Sequence, residues 1–305
     1  MGPTASGKSD LALALAERTG AEILNADSMQ VYRDLRILTN RPTAEEEARA
    51  PHRLFGHIDA AVRFSVAAWL AEANEALLRA RAAGRPAIVV GGAGLYFRAL
   101  TQGLAPVPAQ EEIRAGLQRE MAAEGPAALH ARLAELDPEG AAALSPQDAP
   151  RLVRALEALL ASGRPLREAH AQSLGGLPRE AWRGLCLNPE REALRTRIAA
   201  RFDQMLQDGA LEEIKTLAAR GLDPGLPAMK AHGAPWLMAH LRGELPLEQA
   251  KALAVRDTQR YAKRQRTWMA HQMADWPRLV AKTLHERITG ALAIWSAVDA
   301  TAPQA

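Results

Sequence analysis

Near its start this 305-residue chain reads Gly2-Pro3-Thr4-Ala5-Ser6-Gly7-Lys8-Ser9, and this stretch decides the fold class. It fits the pattern G-x-x-x-x-G-K-[ST] at every fixed position, and a helical apolar pattern follows at residues 10–20. Glycines let the backbone wrap tightly, so successive N–H groups and a helix N-terminus point at an anion. Lys8 would neutralise phosphate charge, and the Ser9 hydroxyl suits a Mg²⁺ ligand. We therefore predict that residues 2–9 bind the phosphate groups of a ligand.

Strand and helix patterns alternate through the first hundred residues. Residues 23–24 predict a short strand, and residues 65–83 predict an amphipathic helix. The continuous apolar run at residues 87–90 is typical of a buried parallel strand. We therefore predict an α/β protein whose core, residues 1–105, is a P-loop NTPase-like, doubly wound parallel sheet.

The phosphate-binding loop lacks the strand that normally precedes it. Only Met1 stands before Gly2, so we expect that the first strand of the core is missing from this sequence. A sheet without its central strand would lack several buried apolar side chains, and burial of each stabilises a fold by about 1.5–3 kcal/mol. We expect the natural product to carry an apolar, β-branched segment of about five or six residues just upstream of Gly2.

The pattern changes after residue 105. Residues 106–178 contain only short helical patterns broken by glycine and proline, which predicts a helical insertion domain. Residues 179–297 are expected to return to the core and to end in basic C-terminal helices, and residues 298–305 to be a frayed tail. The predicted elements of the returning segment are a core strand at 182–187 and long helices at 190–220 and 246–273.

Composition narrows the class of protein further. The single cysteine, Cys186, excludes an internal disulfide and a cysteine-rich zinc site, and it suits a reducing compartment. No apolar stretch approaches the ~20 residues of a membrane span, and no signal peptide precedes the loop. The net charge of +3 permits an anionic partner without requiring one. We expect a cytoplasmic protein without membrane segments, and a monomer by default.

The loop alone leaves the reaction open. Kinases, ATPases and transferases that release diphosphate all share such a loop. A second ATPase signal, an apolar strand ending in aspartate, is not found, because the strand at 87–90 ends in Gly91-Gly92. Asp27 follows the strand at 23–24, at the sheet edge where ligands bind in open α/β folds. It is either a base for an acceptor nucleophile or an ordinary turn residue.

A basic helix near the end of the chain offers a surface for phosphates. Four basic residues share one face of it, while Tyr261 and Trp268 share another. A helix that docks through its aromatic face and contacts nucleic acid through its basic face would show this pattern, and so would a solvated basic face over core aromatics. The four basic residues are Arg256, Arg260, Lys263 and Arg264.

Four segments together resemble the tRNA dimethylallyltransferases, the bacterial tRNA isopentenyltransferase family: GPTASGKS, NADSMQVYRDLRILTNRPT, VGGAGLYFRAL and DTQRYAKRQRTW. They occur in the family's order and extend over nearly the whole chain. The resemblance implies a P-loop core with a helical insertion. It also implies transfer of a dimethylallyl group from dimethylallyl diphosphate to the exocyclic amine of the adenosine 3′ of the tRNA anticodon, with that base flipped into the site. The implied partners are the anticodon stem-loop of tRNA and dimethylallyl diphosphate, with Mg²⁺ as cofactor.

The resemblance assigns roles to individual residues. Residues 2–9 become the pyrophosphate cradle, in which Thr4 and Lys8 act on the donor, and Arg201 lies over the diphosphate. Asp27 becomes the general base that takes the amine proton. The residues implied to contact tRNA are Asp27, Ser28, Met29, Gln30, Ala93, Pro150, Arg151, Leu152, Val153, Arg154 and Lys230, and the basic helix adds Arg256, Arg260 and Arg264.

The chain also departs from the family pattern. Ala93 stands where threonine is usual, Pro150 replaces a polar residue, and Gln259 stands where arginine is common. Ala234-Pro235 replaces a pair resembling Tyr-Arg. These changes bear on tRNA binding more than on the chemistry. Two alternatives stay open: a small-molecule or nucleotide kinase with an arginine-rich lid, and an RNA-binding ATPase without transferase activity.

Overall fold

The computed structural model describes residues 1–105, 110–171, 175–281 and 283–296. The predicted tail at 298–305 and the first residues of the predicted insertion, 106–109, lie outside the described residues. The helices are α1 (Lys8–Thr19), α2 (Ala44–Arg49), α3 (Val66–Ala82), α4 (Gly94–Gln102), α5 (Glu111–Glu124), α6 (Pro126–Leu136), α7 (Pro138–Ala142), α8 (Ala149–Ser162), α9 (Leu166–Ala171), α10 (Arg191–Gln207), α11 (Ala210–Ala219), α12 (Ala234–Leu241), α13 (Leu247–Gln272) and α14 (Leu284–Ser296). The strands are β1 (Glu22–Asn25), β2 (His52–Arg53), β3 (Ala87–Val90), β4 (Cys186–Leu187) and β5 (Arg278–Leu279).

The chain divides into two compact units, Met1–Arg98 with Arg179–Ala305, and Ala99–Pro178. The second unit is built on α5 to α8, whose apolar faces pack around Leu129, Leu133 and Leu156. These side chains recur at helical spacing, so each helix buries one stripe against its neighbours. The domain boundaries inferred from the sequence stay predictions.

The first unit contains a parallel sheet with the strand order β2-β1-β3. In the middle of this sheet Ile23 of β1 lies opposite His52 of β2 and Ile88 of β3. Helix α1 packs Leu13 and other apolar residues against β1 and β3, which buries that face of the sheet. The fold is therefore mixed α/β with a parallel sheet and many helices, and the strands predicted at 23–24 and 87–90 are confirmed.

A second, two-stranded parallel sheet pairs β4 with β5, so that Cys186 lies opposite Arg278. The strand predicted at 182–187 is shorter than expected and has β5 as its strand partner. The Pro277 carbonyl accepts the N–H of Cys186, and the Leu279 carbonyl accepts the N–H of Asn188. The Met1 carbonyl also accepts the N–H of Leu187 at 2.9 Å.

The prediction of one long helix at 190–220 is wrong, because the structure has two helices there. The segment divides into α10 and α11 at Asp208-Gly209, where Gly209 adopts a left-handed conformation with φ of 101°. A positive φ interrupts the i→i−4 hydrogen bonds, and glycine adopts it without steric cost. Helices α10 to α13 then enclose the largest core cluster of the unit, around Phe202, Ile214 and Leu237.

Candidate active site

The loop at residues 2–9 is a tight turn that leads directly into α1. Ser6 donates its N–H to the Pro3 carbonyl at 3.2 Å, and Ala5 and Gly7 both have positive φ, 59° and 80°. Gly7 caps α1 in the left-handed conformation, so the first N–H groups of the helix face the same side as the loop. The positive φ of Gly7 favours glycine here, and a Cβ on Gly7 would lie 2.2 Å from Arg287 Nη1, so that side chain would have to move to admit one.

Four cationic side chains surround a cavity of roughly 310 Å³ over this turn. The Arg201 guanidinium donates to Thr4 Oγ1, and Arg197 donates to the Ala5 carbonyl at 3.4 Å. A cavity with this excess of positive charge, at a helix N-terminus, is suited to a polyanion. The lining residues are Ala5, Ser6, Gly7, Lys8, Ser9, Asp10, Asn40, Arg197, Arg201 and Arg287.

Burial and like charge shift the ionisation of these cations. Burial lowers the pKa of Lys8 to about 8, with Arg201 adding to the shift and the negative charge of Asp27 opposing it. Burial also lowers the pKa of Arg201, again against the attraction of Asp27. An anion bound in the cavity would offset both effects, because it favours the charged form of each side chain.

Asp27 lies in a turn directly after β1 that a buried asparagine holds in place. Asn25 Oδ1 accepts the N–H of Asp27 at 2.8 Å, and Asn25 Nδ2 donates to the Asp27 and Leu54 carbonyls at 3.0 Å each. The Asp27 carboxylate accepts the N–H of Met29 at 2.9 Å through Oδ1. The residue therefore makes the hydrogen bond of an ordinary turn aspartate, while its charge acts on Lys8 of the loop.

Two tyrosines, Tyr96 and Tyr261, are influenced by the charge of Asp27. Burial raises the pKa of both Tyr96 and Tyr261 above the usual range, and the charge of Asp27 adds to the shift, so both phenols stay protonated. Trp69 stacks on Tyr96 with ring centroids 4.3 Å apart. His232 lies 4.3 Å from Tyr261, and burial lowers its pKa, so its imidazole is neutral at pH 7. A carboxylate whose charge acts both on protonated phenols and on a cationic loop is suited to accept a proton close to a bound anion.

Gln265 of α13 ties the loop to the sheet, and sequence reasoning did not single it out. Its Oε1 accepts the N–H of Thr4 at 2.9 Å, and its Nε2 donates to the Gly92 carbonyl at 2.9 Å. The side chain is 5% exposed. Its position four residues after Tyr261 puts it on the inward face of the helix, and this spacing was the signal in the sequence. Arg197 and Arg287 were also missed.

The residues predicted to contact tRNA in the first unit differ in their exposure and in their hydrogen bonds. Ser28, Met29 and Ala93 are partly buried, and Lys230 is exposed in a short 3-10 turn. Gln30 donates to the carbonyls of Thr39 and Asn40 at 2.9 and 2.7 Å, so it orders the loop that brings Asn40 to the cavity.

The basic face of α13 points outward. Arg256, Arg260, Lys263 and Arg264 are all exposed, whereas Tyr261 and Trp268 are partly buried. Arg256 and Arg260 lie 3.8 and 3.5 Å from Asp257, and Arg264 lies 5.7 Å from the Tyr261 ring centre. Such exposed pairs are weak, so the arginines are available to a polyanion.

The predicted tRNA contacts of the second unit divide between surface and core. Pro150 and Arg151 are exposed, and Arg151 lies 3.3 Å from Asp148. Arg154 pairs at 3.0 Å with Glu157, a buried carboxylate that also binds Arg114. Val153 is partly buried against the core, and Leu152 is 0% exposed within it. The Leu152 side chain therefore packs the core of its unit, and its contact with tRNA stays a prediction.

Comparison with known proteins gives one consistent result. The model of the IPP transferase family matches residues 30–272. A tRNA dimethylallyltransferase of Rhodopseudomonas palustris is 57% identical over 90% of this chain and 86% of its own length. The crystal structure of the full-length tRNA isopentenylpyrophosphate transferase from Bacillus halodurans superposes with a TM-score of 0.71 at 32% identity, covering 98% of this chain and 95% of that one. A eukaryotic dimethylallyltransferase described as acting on tRNA superposes with a TM-score of 0.84 at 26% identity, covering 99% of this chain and 79% of that one.

Proposed function

The chain belongs to the IPP transferase family, and from that premise we propose the reaction that its residues perform. As a member of that family it is a transferase that modifies tRNA, and the relatives do not support the kinase alternative. We propose that it transfers a dimethylallyl group from dimethylallyl diphosphate to the exocyclic amine of the adenosine 3′ of the anticodon, with release of diphosphate.

One observation carries the proposal for the donor: four cations converge on residues 2–9, beside a helix N-terminus. The charge on the bridging oxygen grows as the allylic bond breaks, so preorganised cations at that oxygen stabilise the transition state more than the ground state. Lys8 belongs to the loop itself and Arg201 is bonded to Thr4, and both would hold the departing diphosphate.

The fold around the loop supports the same proposal. A glycine-rich turn that leads into α1, with a parallel sheet beside it, is the arrangement of a P-loop core, and we propose that this chain has one. The loop residues fit Mg²⁺ as well, because Ser9 and Asp10, whose side chains carry oxygen ligands, both line the cavity and a diphosphate would supply further oxygens. Bound there, Mg²⁺ would neutralise charge on the leaving group.

Asp27 is proposed as the base for the acceptor. As the allylic C–O bond breaks, its electron pair leaves with the diphosphate oxygen. The amine nitrogen forms the new C–N bond, and its proton passes to the Asp27 carboxylate. The acceptor adenine would leave its stack to reach this depth.

The tRNA itself would be held by exposed cations. In the first unit these are Lys230 and the basic face of α13, and in the second unit Arg151. Phosphate contacts of this kind give salt-dependent binding with little sequence preference. No helix of the described residues is long and apolar enough to cross a membrane. We propose that the enzyme works in the cytoplasm as a monomer.

The proposal is tested with purified chain, unmodified tRNA and radiolabelled dimethylallyl diphosphate, with labelled ATP in a parallel reaction. Label from the dimethylallyl donor should enter tRNA, whereas label from ATP should not. The Lys8→Ala variant should lose most of this activity while tRNA affinity stays within a few-fold, since Lys8 serves the donor alone. Phosphate transfer from ATP, or an equal loss of tRNA binding in the variant, would overturn the assignment.

A further inference from the structure

Arg287 is a buried cation of the phosphate-binding cavity that comes from α14. Its side chain is only 7% exposed, although arginine is usually a surface residue. It lines the cavity with Lys8, and its Nη1 would lie 2.2 Å from a Cβ placed on Gly7. The residue stands outside the loop motif and outside the residues that the family model matches.

The position of Arg287 is fixed by the structure around it. The start of α14 is capped reciprocally, because Glu286 Oε2 accepts the Thr283 N–H and Thr283 Oγ1 accepts the Glu286 N–H, each at 3.2 Å. Arg287 Nε donates to the Ala281 carbonyl at 3.1 Å, which fixes one edge of the guanidinium. The next turn of α14 packs on α1 through an apolar cluster of Leu11, Ala14, Leu15, Leu187, Ile288 and Ala291.

The charges around Arg287 favour an added anion. Burial lowers the pKa of its guanidinium, and the positive charge of Arg197 adds to this effect, while Asp10 and Glu286 oppose it. An ion with more than one negative charge would reduce the repulsion between the two arginines. Groups buried at such a cost to their charged form are concentrated at binding sites.

The cations contact different residues of the loop. Arg201 and Arg197 are bonded to Thr4 and Ala5, at the first half of the turn, whereas Arg287 lies against Gly7, at the second half. Two linked phosphate groups carry more negative charge and more acceptor oxygens than a single phosphate, so they can bond to more of these cations at once.

We propose that Arg287 is a diphosphate-binding residue of the donor site, through which the C-terminal helix α14 gives the site its preference for a diphosphate over a monophosphate. The inference rests on the proposed function of residues 2–9 as the donor cradle.

The test measures binding of inorganic diphosphate and inorganic phosphate, by calorimetry, to the full chain and to its variants. Arg287→Met keeps an apolar stem and removes the charge. We expect it to weaken diphosphate binding about tenfold and phosphate binding less than threefold, as charge-assisted hydrogen bonds to one side of the ligand are removed. Arg287→Lys should recover part of the loss, because a point charge replaces the planar fork. Arg79→Met, at an exposed arginine of α3, is the matched control and should change neither affinity.

The outcomes separate this inference from the function on which it rests. If the unchanged chain fails to bind diphosphate, the donor cradle itself is refuted. If it binds diphosphate and both Arg287 variants bind it within twofold of the unchanged chain, only the role of Arg287 is refuted. A thermal-unfolding series with and without diphosphate accompanies the titration. The diphosphate-induced rise in Tm should shrink in Arg287→Met, and an undiminished rise would contradict the proposal even if the variant is less stable.

Discussion

Replacing Gln265 by methionine should loosen the phosphate-binding loop while leaving the shape of the core nearly unchanged. The Gln265 side chain accepts the N–H of Thr4 and donates to the Gly92 carbonyl, each at 2.9 Å. The first residue belongs to the loop and the second follows β3, so one buried amide links α13, the loop and the sheet. Methionine is similar in length and volume to glutamine and forms neither bond.

The expected loss follows from the two backbone groups that are left without their partner. A buried donor or acceptor that loses its partner costs about 1–3 kcal/mol, so the pair would cost about 2–6 kcal/mol. Thr4 is partly exposed and water can reach it, which favours the lower half of that range. The change in shape adds less than about 1.5 kcal/mol. Against a typical stability of about 5–15 kcal/mol, the variant folds but with a visibly reduced free energy of unfolding.

Urea unfolding followed by tryptophan fluorescence measures this loss, and steady-state kinetics measures its consequence. Because Arg201 is bonded to Thr4 Oγ1, the KM for the donor should rise severalfold, while the KM for tRNA should change little. The matched control is Gln249→Met, at an exposed position of the same helix. A loss below about 0.5 kcal/mol, the range of ordinary surface substitutions, together with an unchanged donor KM would refute the reasoning.

Three further predictions concern the reaction, the surface and pH. Asp27→Asn should lower single-turnover tRNA modification by roughly 10²–10⁴-fold with donor affinity retained, and a rate within threefold of the unchanged chain would leave Asp27 as a turn residue only. Changing Arg256, Arg260 and Arg264 together to alanine should reduce the slope of log affinity for tRNA against log salt, measured by filter binding, by ~0.7–0.9 for each phosphate that the helix no longer neutralises. An unchanged slope would show that these arginines make no contact with tRNA phosphates. Donor affinity should fall as pH rises through about 8, because Lys8, whose pKa is lowered to about 8, then loses its charge in the free enzyme. Calorimetry with dimethylallyl diphosphate across that range checks the sign, and a flat profile would contradict it.

The features that could be predicted from the sequence are those that depend on residues close together in the chain. Gly7 has positive φ and α1 follows it at once, as the spacing of the loop glycines and Lys8 indicates. The strands at β1 and β3 follow from apolar runs that end at turn residues, and the outward basic face of α13 follows from its 3.6-residue period. In each case the relevant interactions span one or two turns of backbone, so a window of sequence contains them. The family was reached in the same way, from four short segments.

What the sequence left undecided depends on residues that are distant in the chain. Gln265 meets Thr4 across 261 positions, and Arg287 reaches Gly7 only because α14 docks on α1. The burial of Leu152 depends likewise on three neighbouring helices of its unit. Local pattern determines the backbone of each segment and which of its faces is apolar. The packing of those faces then decides which cations share a cavity and which polar groups lose water, because desolvation and charge interactions act through space between elements that no sequence window joins.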